Sequence, residues 1–156
     1  MNSAIIRIGS EAAALLATLH SACFDRPWSE ADFAVLLALP TVEAFIACGP
    51  GPAQEPVGFL LAQSAAEQAE IVTMGVLPAY RRAGIGRVLL ADAGVALAAR
   101  GVLEIFLEVN EANRAARQLY RSAGFSAVGR RVGYYETTAG GRADAICLHR
   151  RLVADA

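Results

Sequence analysis

The sequence predicts a single α+β domain over residues 1–156. Three observations carry that expectation. Short apolar runs and amphipathic stretches follow one another in the order β-α-α-β-β-β-α-β-α-β-β, with no repeat, low-complexity run or linker to divide them. The run at 71–76 passes Pro78 into a glycine-rich turn and a long helical pattern, so the strands ending at Val76 and Val109 should lie parallel with a helix between them. A chain of 156 residues is long enough for one substantial core.

Each element has a local reason. Residues 4–8 form a short apolar strand. A helix is expected over 11–23, with Ser10 as N-cap and Leu15, Leu16 and Leu19 turned inward. The next helix has the clearest start: Ser29 caps it, Asp32 stands at the capping-box position, and Trp28 and Phe33 occupy the hydrophobic-staple positions. Pro40 ends it. Residues 42–48 and 57–65 read as a hairpin around a Gly-Pro-Gly-Pro loop, followed by a strand at 70–76. A helix from Ile85 to Arg100 stops at Gly101. A strand at 103–109, a helix capped by Asn113 and stopped by Gly124, and strands at 125–134 and 143–152 complete the chain.

Composition excludes several classes. No apolar run reaches the ~18 residues of a membrane span, and the N-terminus lacks the pattern of a secretory signal. Cys23, Cys48 and Cys147 are odd in number and far apart, which suits buried thiols in a reducing, cytoplasmic compartment. His20 and His149 stand near no cysteine pair, so no metal site is expected. The net charge of −1 conceals an asymmetry: residues 1–80 hold two arginines and eight acids, residues 81–156 twelve arginines and seven acids. A basic half suits a polyanionic cofactor and an acidic half a cationic acceptor, although segregated solvated faces would look the same. There is no lysine, which excludes Schiff-base chemistry. Basic–aromatic interleaving is missing, so direct nucleic-acid binding is not expected.

The turn at 81–87 reads Arg81-Arg82-Ala83-Gly84-Ile85-Gly86-Arg87. Free N–H groups at a helix N-terminus, with three arginines around them, suit a phosphate; the same glycines would also serve a plain strand-to-helix corner. No Gly-Lys-Ser/Thr follows, and the third glycine of a dinucleotide fingerprint is replaced by Leu89.

The stretch from Val76 through Pro78 to Gly86 resembles the acetyl-CoA-binding motif of the GCN5-related N-acetyltransferase (GNAT) family. A second family signature follows about thirty residues on: Asn113-x-x-Ala116-x-x-Leu119-Tyr120, then Gly124-Phe125. Pro27-Trp28-Ser29-Glu30, Leu107-Glu108-Val109, Arg131-x-x-Tyr134-Tyr135 and Gly141-Arg142-x-Asp144-Ala145 resemble, within the family, the RimI subfamily, which acetylates N-terminal alanines of bacterial ribosomal proteins. The chain departs from that pattern at Glu136, where many members have proline, and at Asn110, where some have arginine.

The resemblance implies a mixed, mostly antiparallel seven-stranded sheet flanked by four helices. It implies acetyl-CoA as co-substrate, bound by Met74, Gly75 and Val76, by the 81–87 turn (Arg81, Arg82, Ala83, Gly84, Ile85, Gly86, Arg87) and by Asn113. It implies a protein N-terminus as acceptor, expected to be a ribosomal protein's alanine, bordered by Tyr134 and Tyr135, with no membrane partner.

Alternation along 103–109 places Glu104, Phe106 and Glu108 on one face and Leu103, Ile105, Leu107 and Val109 on the other. By its position Glu108 is either a solvated strand-end charge or a base beside the parallel-strand crevice; the resemblance assigns it the base. Tyr120 is either a core tyrosine or a phenol able to donate a proton; the resemblance assigns it the acid that protonates the leaving thiolate. Neither motif holds a cysteine, so direct amine attack is expected. A small-amine acetyltransferase acting on a polyamine or aminoglycoside, or a non-catalytic acyl-CoA sensor, are the alternatives.

Overall fold

The structure is a computed structural model and describes residues 4–137 and 139–152. Along the chain lie β1 (Ala4–Ile8), α1 (Ala13–Cys23), α2 (Glu30–Leu37), β2 (Val42–Cys48), β3 (Pro56–Ala65), β4 (Gln68–Val76), α3 (Ile85–Ala99), β5 (Glu104–Asn110), α4 (Arg114–Ser122), β6 (Ser126–Glu136) and β7 (Arg142–Arg151). The strands make one sheet in the order β1-β2-β3-β4-β5-β7-β6. Every pair is antiparallel except β4–β5, the two strands joined through α3. The expected class, strand and helix numbers and parallel pair are therefore met among the described residues.

Two apolar layers hold the sheet. On one face α3 and α4 bury Ile85, Leu89, Leu97 and Tyr120 against Phe45, Leu60, Ile71, Ile105, Leu107, Val109 and Ile146. On the other, α1 and α2 bury Leu16, Leu19 and Phe33 against Ala44, Ile46, Phe59 and Leu61. Each large side chain removed from water in this way contributes roughly 1.5–3 kcal/mol. The second layer covers β2 to β4. Beyond it, the side chains of Glu104, Phe106, Glu108, Cys147 and His149 on β5 and β7 remain only half-buried, which leaves an open shelf beside α1. No helix among the described residues is long and apolar enough to cross a membrane.

The capping box of α2 is present as expected. Asp32 N–H donates to the Ser29 hydroxyl (3.1 Å) and Ser29 N–H to the Asp32 carboxylate (2.8 Å). Trp28 and Phe33 lie 5.6 Å apart between ring centroids. Asn113 caps α4 by accepting from Ala116 N–H at 3.1 Å. Ser10 does not cap α1. It lies inside a 3₁₀ turn, Ser10–Ala12, that precedes the helix. The first residue of α1 follows Ala12 with no side-chain cap, while Glu11 in the preceding turn accepts from Gly9 N–H at 3.1 Å, and backbone donors hold its carboxyl below the usual range. β6 also starts one residue later than expected and runs two residues further, because two bulges, between Ala127 and Gly129 and between Arg131 and Tyr135, take up extra residues.

Glu43 is an exception to the apolar pattern of β2. Its side chain is 3% exposed and meets Arg7 at 2.6 Å and also Arg100, which ties β1 and the end of α3 to one buried carboxylate.

Candidate active site

The site begins where the parallel pair comes apart. β4 and β5 are paired only at Gln68–Glu104, Ala69–Ile105 and Glu70–Phe106. Past that point β4 stays bonded to β3 on its far side and β5 to β7 on its far side. The facing edges of 71–76 and 107–110 therefore present backbone N–H and C=O groups to a wedge-shaped cleft, and such groups require partners. Met74, Gly75 and Val76 form one lip. Met74 and Val76 lean toward the α3 layer. Gly75 faces α1, and a Cβ there would meet the Phe59 ring at 2.9 Å and Cys23 Sγ at 3.1 Å.

The 81–87 turn closes one end of this cleft. Gly84, at φ +82°, is the left-handed N-cap of α3, a conformation that suits glycine. The first bond of the helix runs from Val88 N–H to the Gly84 carbonyl at 3.1 Å. The N–H groups of Ile85, Gly86 and Arg87 thus lie at the positive end of the helix dipole with no acceptor in the helix. Arg82, also at positive φ (+65°), and Ala83 are exposed, whereas the Ile85 side chain is buried. Gly86 permits close approach of α4, since a Cβ there would lie 2.9 Å from Leu119 Cδ2. Two of the three arginines are tethered. Arg81 Nε donates to the Val76 carbonyl (2.9 Å) and Arg87 Nη2 to the Ser122 carbonyl (3.1 Å). The turn presents oriented donors and positive charge, which fits a polyphosphate.

The two proton-transfer candidates lie on opposite faces of the sheet, Glu108 on the shelf and Tyr120 in the α3–α4 layer. Glu108, near the C-terminal end of β5, has a side chain 22% exposed, with Oε1 3.0 Å from Arg131 Nη2. Glu104, two residues back on the same face, is occupied instead by His149 (3.4 Å) and Gln68 (3.5 Å). Tyr120 is buried on α4 with its ring edge-on to Phe125 at 5.9 Å. Burial, with a smaller push from Tyr135, raises its phenol to about 12, so it keeps its proton at neutral pH. Tyr135 is raised too, first by burial and then by the charge of Glu108. Tyr134 is exposed and meets Tyr135 edge-on at 5.0 Å.

Sequence reasoning missed three features of this region. Cys147 lies outside both motifs, yet it is the cross-strand partner of Glu108. With Glu108, Phe106, Glu70 and Arg131 it lines a cavity of about 440 Å³. Only Cys48 is a buried thiol; Cys23 and Cys147 are partly exposed. His20 anchors the entry to α2: its Nδ1 accepts from Trp28 N–H at 3.1 Å, so the proton sits on Nε2, 3.2 Å from the Thr73 hydroxyl. Asp144 fastens the bulge of β6 through Arg130 (2.7 Å) and Gly133 N–H (2.8 Å). Asp144 had appeared in the sequence only as a motif letter.

The comparisons with known proteins agree with this geometry. Residues 13–125 match the model of the acetyltransferase (GNAT) family. The chain is 36% identical over 122 residues to the [ribosomal protein bS18]-alanine N-acetyltransferase of Escherichia coli K12, covering 78% of this chain and 79% of that protein. It is 36% identical over 92 residues to the enzyme of the same name from Haemophilus influenzae, and there it spans 62% of the relative's length. The crystal structure of the ribosomal-protein-S18-alanine N-acetyltransferase from Escherichia coli superposes with a TM-score of 0.88 at 30% identity, over 99% of this chain and 97% of that one. A family match across most of the chain, on a sheet that splits at its parallel pair, establishes this protein as an N-acetyltransferase belonging to the GNAT family.

Proposed function

We propose that this enzyme acetylates the α-amino group of a protein N-terminus, with an N-terminal alanine of ribosomal protein bS18 as the acceptor. The name of its Escherichia coli relative supports that acceptor. The observation that carries the reading is the position of Glu108: a carboxylate near the end of β5, beside the unpaired edges of the cleft, lining a cavity of about 440 Å³.

Acetyl-CoA supplies an activated acyl carbon as a thioester. The N–H groups of Ile85, Gly86 and Arg87, with Arg81 and Arg82, hold its pyrophosphate. The backbone edge of Met74 to Val76, apart from the Val76 carbonyl that Arg81 already holds, pairs with the pantetheine amides and polarises the thioester carbonyl. Asn113 keeps its amide N–H₂ available on that side, since only its carbonyl oxygen serves the α4 cap. Glu108 takes a proton from the acceptor ammonium, directly or through water. The freed amine forms the N–C bond as the C–S bond breaks, and Tyr120 gives its proton to the departing sulfur. Tyr134 and Tyr135 flank the acceptor chain.

The test is thiol release with acetyl-CoA and a panel of acceptors: peptides starting with alanine from the bS18 sequence, the same peptides N-terminally blocked, internal-lysine peptides, spermidine and an aminoglycoside. Turnover confined to free N-termini is expected. Turnover confined to the small amines would overturn the acceptor and keep the reaction.

A further inference from the structure

Among the described residues Glu108 makes one ion pair, and its partner is Arg131 (Nη2 to Oε1, 3.0 Å). The pairing follows from register. Glu108 faces Cys147 across β5–β7, and Gly129 faces Cys147 across β6–β7, so Arg131, two residues along and opposite Ala145, points to the same shelf. The bulge then sets what lies on the other side of Arg131. Four steps of β6, from Arg131 to Tyr135, stand against two of β7, from Ala145 to Ala143. This displacement brings the Tyr134 ring within 5.2 Å of the Arg131 guanidinium. Asp144 anchors the bulge at Gly133 N–H, so the backbone beneath Arg131 is fixed while its side chain is 57% exposed.

A guanidinium cannot surrender its proton under physiological conditions. While it caps Glu108, the charge that should draw an ammonium toward the cleft is already matched. The pair is half-exposed, so displacing it costs an incoming cation at most about a five-fold factor in binding. The Tyr134 ring face holds the same guanidinium while it pairs with Glu108, so the cation rests between carboxylate and ring.

Resting on the reading of Glu108 as base, we infer that Arg131 is a cation gate. Its guanidinium holds the place that the acceptor's ammonium takes in the reaction, and so sets how firmly the rest of the acceptor must be held before its amine reaches Glu108. An amine that binds through its charge alone competes poorly with Arg131. An acceptor anchored along the shelf displaces it. Arg131 acts here through Glu108 and is a positioning residue.

The test uses methylammonium, a cation with no other contact to offer, titrated by NMR line broadening into wild type, Arg131→Gln, Glu108→Gln and the double variant. Arg131→Gln should tighten methylammonium about three-fold, and the gain should vanish when Glu108 is already Gln. An unchanged affinity, or the same gain in both backgrounds, overturns the gate, because the second would be a long-range charge effect only. With a turned-over peptide, Arg131→Gln should lower KM about three-fold with a smaller change in kcat, and Arg131→Lys should restore the wild-type KM. A fall in kcat at unchanged KM would make Arg131 an orienting group for Glu108 and overturn the gate. The titration needs no turnover, so an enzyme silent toward every N-terminal peptide would count against the acceptor while the gate still stands or falls on methylammonium.

Discussion

Cys147 stands directly across the β5–β7 ladder from Glu108, and both line the same cavity. A bulky group on that sulfur would fill the shelf over which an acceptor must approach. Alkylation of the protein with a maleimide should inactivate it. An acceptor peptide should protect it, and the Cys147→Ala variant should resist. Activity and mass spectrometry on the same samples decide the matter: full turnover with Cys147 stoichiometrically modified would put the acceptor elsewhere.

Tyr120→Phe separates the acid from the core tyrosine. The ring contact with Phe125 survives the change and only the hydroxyl is lost. General-acid roles contribute about 10²–10⁴-fold, so kcat should fall by at least about 10²-fold with little change in KM. Thermal unfolding should stay close to wild type. An unchanged kcat would return Tyr120 to a purely structural role.

Much of this arrangement was legible in the sequence because it is local. The Ser29–Asp32 box, the Asn113 cap, the Gly84–Gly86 turn and the alternation that places Glu108 on the open face all follow from spacings of a few residues. The Arg131–Glu108 pair and the Cys147 juxtaposition depend on the register of β5, β6 and β7, and that register passes through a bulge which a period-two pattern does not encode. Glu43 was hidden for a similar reason: its partners, Arg7 and Arg100, lie 36 and 57 residues away in the chain. At the first helix, Ser10 was the expected cap, but a 3₁₀ turn over Ser10–Ala12 moves the helix start to Ala13 and leaves it without a side-chain cap.

The Glu43 cluster makes an asymmetric prediction. Glu43 is buried, whereas Arg7 and Arg100 are about half-exposed and can rehydrate. Removing both arginines leaves an unpaired buried carboxylate, a loss of about 3–5 kcal/mol. Glu43→Gln, which removes the buried charge itself, should cost less. Urea unfolding of Arg7→Ala/Arg100→Ala and of Glu43→Gln measures both; the opposite order would contradict the account.

His20 links stability to pH. It is 3% exposed, enclosed by Phe24, Trp28, Phe33 and Phe59, and burial holds its imidazole below the ordinary value. The folded state therefore binds fewer protons than the unfolded state just below the unfolded pKa of about 6.5. Stability is complete above that value and declines as pH falls from it toward the depressed folded value. Each kcal/mol lost lowers Tm by about 2–4 °C in a domain of this size. Melting curves from pH 7.5 to 5 should show that decline in wild type and a flatter profile in His20→Gln. Parallel profiles would mean that His20 does not titrate on unfolding.

The most direct measurement of the central claim is kcat for Glu108→Gln with an alanine-starting peptide, taken with the acetyl-CoA dissociation constant of the same variant. The account predicts a fall of about 10²–10⁴-fold in kcat with acetyl-CoA bound as tightly as by wild type, because the cleft edge and the 81–87 turn are untouched. Wild-type turnover in Glu108→Gln would remove Glu108 as the base and contradict the account.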